Sequence, residues 1–292
     1  MQHTLKPRRS VLYMPGANER ALQKARTLAA DSLILDMEDA VAPDAKIQAR
    51  QQIIHAVTEG GYGKREIIVR INGLDTPWGH DDLIAVAKLP IDAVLLPKVG
   101  DPQEIQSAAN ILTQHGGVTL PIWMMAETPK GILNIATIAS SHPRLSAIVM
   151  GTSDLTKELR ARHTPDRVGL LTSLGLCVLA ARVNGLDIID GVYLDLDDEA
   201  GFQAACTQGR DMGFDGKTLI HPKQIAVANQ IFAPNEAEVH HAFAVIAAWE
   251  EAQKAGKGVV VVGGKLVENL HFEEAQRLLA LTQAIELLET QS

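Results

Sequence analysis

The sequence predicts a (β/α)8 TIM barrel followed by a C-terminal helical extension, and three observations predict it. Eight short β-rich runs recur along roughly the first 230 residues, with helical stretches between them. Most of these runs are continuously apolar rather than alternating, the pattern of strands buried on both faces of a parallel sheet. A doubly wound open sheet is the competing arrangement, but eight regular units with no GxGxxG after the first strand favour closure.

In chain order the first four runs are VLYMP (11–15), SLILDME (32–38), EIIVRIN (66–72) and AVLLPKV (93–99). The second four are PIWMMAE (121–127), AIVMGTSD (147–154), DIIDGVYLD (187–195) and GKTLIHP (216–222). Between them, stretches such as ERALQKARTLAA, DPQEIQSAANILTQH and EAGFQAACTQGRDMG read as helices. After the eighth unit the pattern changes to one long helix over residues 235–256, then a glycine-flanked strand, GVVVVGG. The last helix, FEEAQRLLALTQAIELLET, carries leucines and alanines at three- and four-residue spacing. The chain therefore divides into a barrel over residues 1–234 and an extension over residues 235–292. The extension is too short to fold alone and is expected to pack on the barrel or on a neighbouring subunit.

Composition narrows the function classes. With 292 residues, 46% hydrophobic and 21% charged, the chain is expected to be ordered and to hold its own core. Apolar runs such as AFAVIAAW fall far short of the ~20 residues of a membrane span, so no membrane role is expected. The basic start MQHTLKPRRS has no apolar stretch and cleavage site after it, which argues against a secretory signal. Two cysteines, Cys177 and Cys206, make neither a disulfide framework nor a zinc site, and a reducing cytoplasm is the expected location. A net charge of −8, with KPRR the only short basic run and 4% aromatic residues, argues against nucleic acid.

In a barrel of this kind the active site forms where strands end and βα loops begin. Polar residues gather at those ends: Asp36, Glu38 and Asp39, then Arg70 and Asn72, Lys98, Glu127, Asp154, Asp190 and His221. So many charges on one rim point to an enzyme. Glu127 and Asp154 each follow a buried apolar run, where a carboxylate is costly unless a cation meets it. A hard divalent cation suits such a pair, while a helix cap or a rim salt bridge is the bland alternative. Arg70 either binds substrate oxygens bidentately or pairs with Asp36 or Glu38. Lys98 balances the rim acids, and His221 reads either as a hydrogen-bonded structural residue or as a base. Arg9 and the MPGANE turn (14–19) offer a place for a phosphate near a helix start. Cys177 is expected in the core, and GTSDL lacks the second glycine of a hydrolase nucleophile elbow.

Together these segments resemble the citrate lyase β-subunit-like family, the acyl-CoA ester lyases related to malyl-CoA lyase. The matching pieces are RRSVLYMPGANE, LDMEDAV, VRINGLDTPWG, LLPKV, AETPKGI, GTSDLTKEL, DGVYLDLDDEAG, GFDGKTLIHPKQI and FAPNEAEV, in family order. The resemblance implies a (β/α)8 barrel with Mg2+, or Mn2+, held by Glu127 and Asp154, and a C-terminal lid. It implies 3-hydroxyacyl thioester substrates with coenzyme A as part of the substrate, and 2-oxo acid products. It places Arg70 beside the thioester and Arg9 and Lys98 along the CoA phosphate chain; Asp36 and Glu38 are expected to orient Arg70 and the metal waters. It also implies a homotrimer or hexamer in which the lid of one subunit closes on the next. The family's lid aspartate is matched here by Glu268 in GGKLVENLHFEEAQ, one methylene longer.

The activity expected from this resemblance is cleavage of (S)-citramalyl-CoA to pyruvate and acetyl-CoA. The alternatives are a malyl-CoA lyase, a malyl-CoA thioesterase, and a citrate lyase β subunit acting on an acyl-carrier thioester. A non-enzymatic CoA or 2-oxo-acid scaffold is the remaining class.

Overall fold

The computed structural model describes residues 5–290. Eight parallel strands close in sequence order: β1 (Ser10–Pro15), β2 (Ser32–Asp36), β3 (Glu66–Arg70), β4 (Ala93–Leu96), β5 (Ile122–Ala126), β6 (Leu145–Met150), β7 (Asp187–Asp190) and β8 (Gly216–Leu219). β8 returns to β1, with Ser10 opposite Lys217. The helices outside them are α1 (Glu19–Ala25), α2 (Lys46–Glu59), α3 (Gly79–Val86), α4 (Pro102–Gln114), α5 (Pro129–Leu133) and α6 (Ile135–Ala139). They continue with α7 (Thr152–Glu158), α8 (Leu171–Val183), α9 (Glu199–Asp211) and α10 (Ile225–Phe232). The expected (β/α)8 barrel is the fold.

Strand alternation explains the continuous apolar runs. Val11, Ile34, Ile68, Leu95, Trp123 and Val149 pack with one another inside the barrel, apart from any helix. Their sequence neighbours Leu12, Leu33, Val69, Val94, Met124 and Ile148 pack outward among helix residues such as Leu22, Ile53 and Leu112. Both faces are therefore apolar. At the amino-terminal end Arg8 closes the interior, its guanidinium 4.8 Å from the Trp123 ring centroid and bonded to Glu66 and Asp187.

The strands stop sooner than the apolar runs suggested. β2 ends at Asp36 because its side chain accepts the N–H groups of Glu38 (2.8 Å) and Ala40 (3.1 Å), which bends the chain out of the ladder. Likewise β5, β6 and β7 end at Ala126, Met150 and Asp190, leaving Glu127 and Asp154 to the loops and to α7.

The chain divides into two compact units, the barrel Arg8–Phe232 and a second built on the chain from Ala233 onward. The second unit pairs α11 (Glu236–Lys254) with α12 (Asn269–Glu289), joined by β9 (Val260–Val262) and β10 (Lys265–Val267). The expected glycine-flanked strand is present as β9, and the chain turns back after it into a second strand, β10, that makes an antiparallel hairpin. Gly263 and Gly264 form its two-residue turn with φ of 57° and 78°, which a type I′ turn requires at both positions. Trp249 stacks on Phe272 with centroids 6.2 Å apart, in a small core with Ala242, Val245, Val267 and Ala275. No described helix is long and apolar enough to cross a membrane.

Candidate active site

The inward positions at the strand ends carry the polar residues. Counting by two from Val11, Ile34, Ile68 and Trp123 reaches Tyr13, Asp36, Arg70 and Met125, and all four line one cavity of about 330 Å3. Glu127, Gly151 and Asp154 line the same cavity from the next two βα loops. The structure therefore brings Asp36, Arg70, Glu127 and Asp154 together at the expected rim.

Arg70 is anchored from below. Its Nε and Nη2 donate to the two oxygens of Asp36 at 2.7 and 2.6 Å, and its Nη1 lies 3.1 Å from Glu38 Oε2. The guanidinium also sits 4.8 Å from the Tyr13 ring centroid. Burial opposes its charge, but Asp36 and Glu38 hold it protonated well above its ordinary range. The salt-bridge alternative for Arg70 is thus realised, and its bidentate fork is taken by Asp36. Its Nη1, the nitrogen that Asp36 does not bind, also lies 3.4 Å from the sulfur of Met125, another residue lining the cavity.

Glu127 has a different environment. It is 2% exposed, its Oε1 accepts the Lys98 N–H at 2.7 Å, and no other described donor is bonded to it. Burial pushes its carboxyl up to about 7, although Arg70 and the Lys98 N–H pull the other way. A carboxyl in that state is one that a cation would ionise. The site is also shaped for Glu127: a Cβ on Gly151 would lie 2.3 Å from its Oε2.

Asp154, in the first turn of α7, is part-exposed, and its Oδ2 is 3.7 Å from Lys98 Nζ. Two carboxylates with open space beside them fit a hard divalent cation such as Mg2+. Among the described residues no group of three His, Cys, Asp or Glu makes a ready cage. Water or substrate oxygens would therefore complete the coordination, as is usual for Mg2+.

Lys98 is at the rim, but among acids. Its Nζ meets Glu38 Oε1 at 2.5 Å and Asp39 Oδ1 at 3.5 Å. These contacts match the charge-balancing reading of Lys98 rather than a place along a phosphate chain. Glu38 itself is pushed up by burial despite Arg70 and Lys98.

Arg9 is a correction. It precedes β1, so it lies at the amino-terminal end of the barrel, opposite the rim. There it is 3% exposed and binds Asp31 through Nε and Nη2, both at 2.9 Å, and through its own N–H at 2.8 Å. A buried arginine already saturated by a carboxylate at that end is a structural residue.

Asp190 points outward, not into the mouth. It bonds Lys217 at 2.7 Å and Arg167 at 2.7 and 2.8 Å, and these cations hold its carboxyl below the usual range against the effect of burial. His221 caps a 3-10 turn, its Nδ1 accepting from Lys223 N at 3.1 Å, and Asn72 bonds Asp82 at 2.6 Å. Cys177 is fully buried. Glu268 belongs to the second unit, where it caps α12 and its N–H donates to His271 Nδ1 at 3.0 Å. Sequence reasoning passed over Tyr13, Met125 and Gly151. The first two were accessible by the same parity that places Arg70.

A family model described as HpcH/HpaI aldolase/citrate lyase matches residues 9–222. A (3S)-malyl-CoA thioesterase of Cereibacter sphaeroides is 53% identical over 285 residues, covering 98% of each chain. The citrate lyase subunit beta of Leuconostoc mesenteroides is 35% identical, covering 97% of this chain and 96% of that relative. Among solved structures, CitE from Mycobacterium tuberculosis in complex with magnesium, acetoacetate and coenzyme A superposes with a TM-score of 0.76 at 27% identity. That match covers 94% of this chain and 97% of the other.

Proposed function

The chain belongs to the HpcH/HpaI aldolase/citrate lyase family, with a malyl-CoA thioesterase and a citrate lyase subunit beta among its relatives, and from there we propose a Mg2+-dependent acyl-CoA enzyme that hydrolyses (3S)-malyl-CoA to malate and coenzyme A. The observation that carries the reading is the cavity in which Glu127 and Asp154 stand beside an anchored Arg70. The thioesterase relative, matched along nearly its whole length, favours a malyl over a citramalyl acyl group and hydrolysis over carbon–carbon cleavage. The two free, buried cysteines fit a reducing cytoplasm.

Held by Glu127 and Asp154, a divalent cation would supply Lewis acidity to the oxygens of the hydroxy acid. Arg70 would offer its Nη1 edge, the one Asp36 does not occupy, to the thioester oxygen, where negative charge grows as water adds to the carbonyl carbon. Asp36 keeps that guanidinium oriented and charged, and Glu38 fixes its outer edge. We assign Glu268 the proton transfers. In hydrolysis its carboxylate takes the proton of the attacking water; the C–S bond then breaks and the thiolate is protonated. The second unit carries Glu268, and the assignment makes it the lid residue of a neighbouring subunit in a homotrimer or hexamer.

The lyase reading rests on the citrate lyase relative. There, Arg70 would stabilise the acetyl-CoA enolate released with glyoxylate or pyruvate, and Glu268 would protonate its carbon. Mass spectrometry of malyl-, citramalyl- and β-methylmalyl-CoA incubated with Mg2+ separates the two. Malate with free CoA thiol is the expected outcome. Acetyl-CoA with a 2-oxo acid would replace hydrolysis by cleavage, and no turnover of any thioester would leave a CoA-binding scaffold. Glu268→Gln should cut kcat strongly while sparing Mg2+ binding, and unchanged kcat would remove Glu268 from the chemistry.

A further inference from the structure

Lys98 follows β4 with φ of 52°, in the left-handed region that a long side chain rarely occupies. That setting sends its two ends to two different places. The N–H donates to Glu127 Oε1 at 2.7 Å, while the ammonium meets Glu38, Asp39 and, at 3.7 Å, Asp154. One residue thus touches both carboxylates assigned to the metal, Glu127 through its backbone and Asp154 through its charge.

We propose that the Lys98 ammonium is a built-in counter-cation that holds Asp154, Asp39 and Glu38 together in the metal-free protein and keeps the intrinsic Mg2+ affinity low. This inference rests on the reading of Glu127 and Asp154 as metal ligands. Five carboxylates, Asp36, Glu38, Asp39, Glu127 and Asp154, meet Arg70 and Lys98 around this mouth, with the buried Lys46 ammonium behind them, bonded to the Glu38 carbonyl at 2.7 Å. Arg70 is committed to Asp36 and Glu38, so Lys98 is the positive charge nearest Asp154. A divalent ion on Asp154 would share that carboxylate with the ammonium, and two like charges at such range repel strongly at an effective dielectric of about 20. The ammonium is held in place by its ion pairs with Glu38 and Asp39. The cation then binds firmly only when substrate oxygens and substrate charge come with it.

The test is a calorimetric Mg2+ titration of substrate-free protein above pH 7. Lys98→Gly removes the ammonium, adopts the left-handed φ without strain and keeps the N–H to Glu127. It should bind Mg2+ roughly tenfold tighter or more, while Lys98→Arg, which keeps the charge, stays near wild type. A merely structural strut predicts the opposite sign, because Glu38 and Asp154 would lose their anchor. Equal or weaker affinity in folded Lys98→Gly overturns the proposal. If that variant does not fold, Lys98→Asn, which also tolerates this φ, is held to the same two outcomes. No Mg2+ binding by either wild type or folded Lys98→Gly overturns this proposal and the metal reading together. Undiminished binding in Glu127→Gln overturns the metal reading by itself.

Discussion

Replacing Asp36 with asparagine perturbs the anchor of the whole site. The carboxylate is fully buried and accepts four donors: Arg70 Nε at 2.7 Å, Arg70 Nη2 at 2.6 Å, Glu38 N at 2.8 Å and Ala40 N at 3.1 Å. Asparagine turns one oxygen into a donor, so two of those four groups face another N–H. It also leaves the buried guanidinium without its main counter-charge. Removing one partner of a buried ion pair costs about 3–5 kcal/mol, a large share of a typical total of ~5–15 kcal/mol. Urea unfolding should show that loss as a lower midpoint with an unchanged m value. A double-mutant cycle with Arg70→Met should return a coupling energy of about 2 kcal/mol or more, because the double variant no longer buries an unpaired charge. A single-variant loss below about 1 kcal/mol, or additivity in the cycle, would refute the reasoning that Asp36 carries Arg70.

Two further outcomes follow from the surroundings of Glu127. Gly151→Ala would place a Cβ 2.3 Å from Glu127 Cβ and Oε2, so it should cost about 1–3 kcal/mol and displace the carboxylate, abolishing Mg2+ binding. Wild-type metal affinity in that variant would contradict this packing. The Glu127 carboxyl is pushed up to about 7 by burial, so below that pH its proton must leave before a cation can bind. Mg2+ affinity measured against pH should therefore fall about tenfold per unit below pH ~7 and level off above it. A flat profile from acid to neutral pH would contradict an exchange of proton for metal at Glu127.

The barrel was legible because both strand faces are apolar: Leu12 and Val11 are adjacent in sequence and pack on opposite sides of one sheet. The rim was legible for the same reason, since Asp36, Arg70 and Glu127 interrupt runs that otherwise have no place for charge. Arg9 misled, although its place before β1 already puts it at the far end of a parallel barrel. Asp190 misled similarly, being one position out of step with the inward Ile189. The paired glycines at 263 and 264, read as the end of a lone strand, carried the signal for a hairpin whose second strand follows them. What pattern alone could not reach is the cluster around Lys98. Its left-handed φ is not encoded by any glycine or asparagine at that position, and only coordinates join it to Glu38 and Asp154.

Metal binding by Glu127 and Asp154 at the mouth of this barrel underlies the proposed chemistry. Anomalous diffraction from crystals grown with Mn2+ measures that directly. One manganese peak is expected in the cavity lined by Tyr13, Arg70 and Gly151, within about 2.1 Å of an oxygen from each carboxylate. A fully occupied ion elsewhere, or an empty cavity at saturating Mn2+, would contradict it.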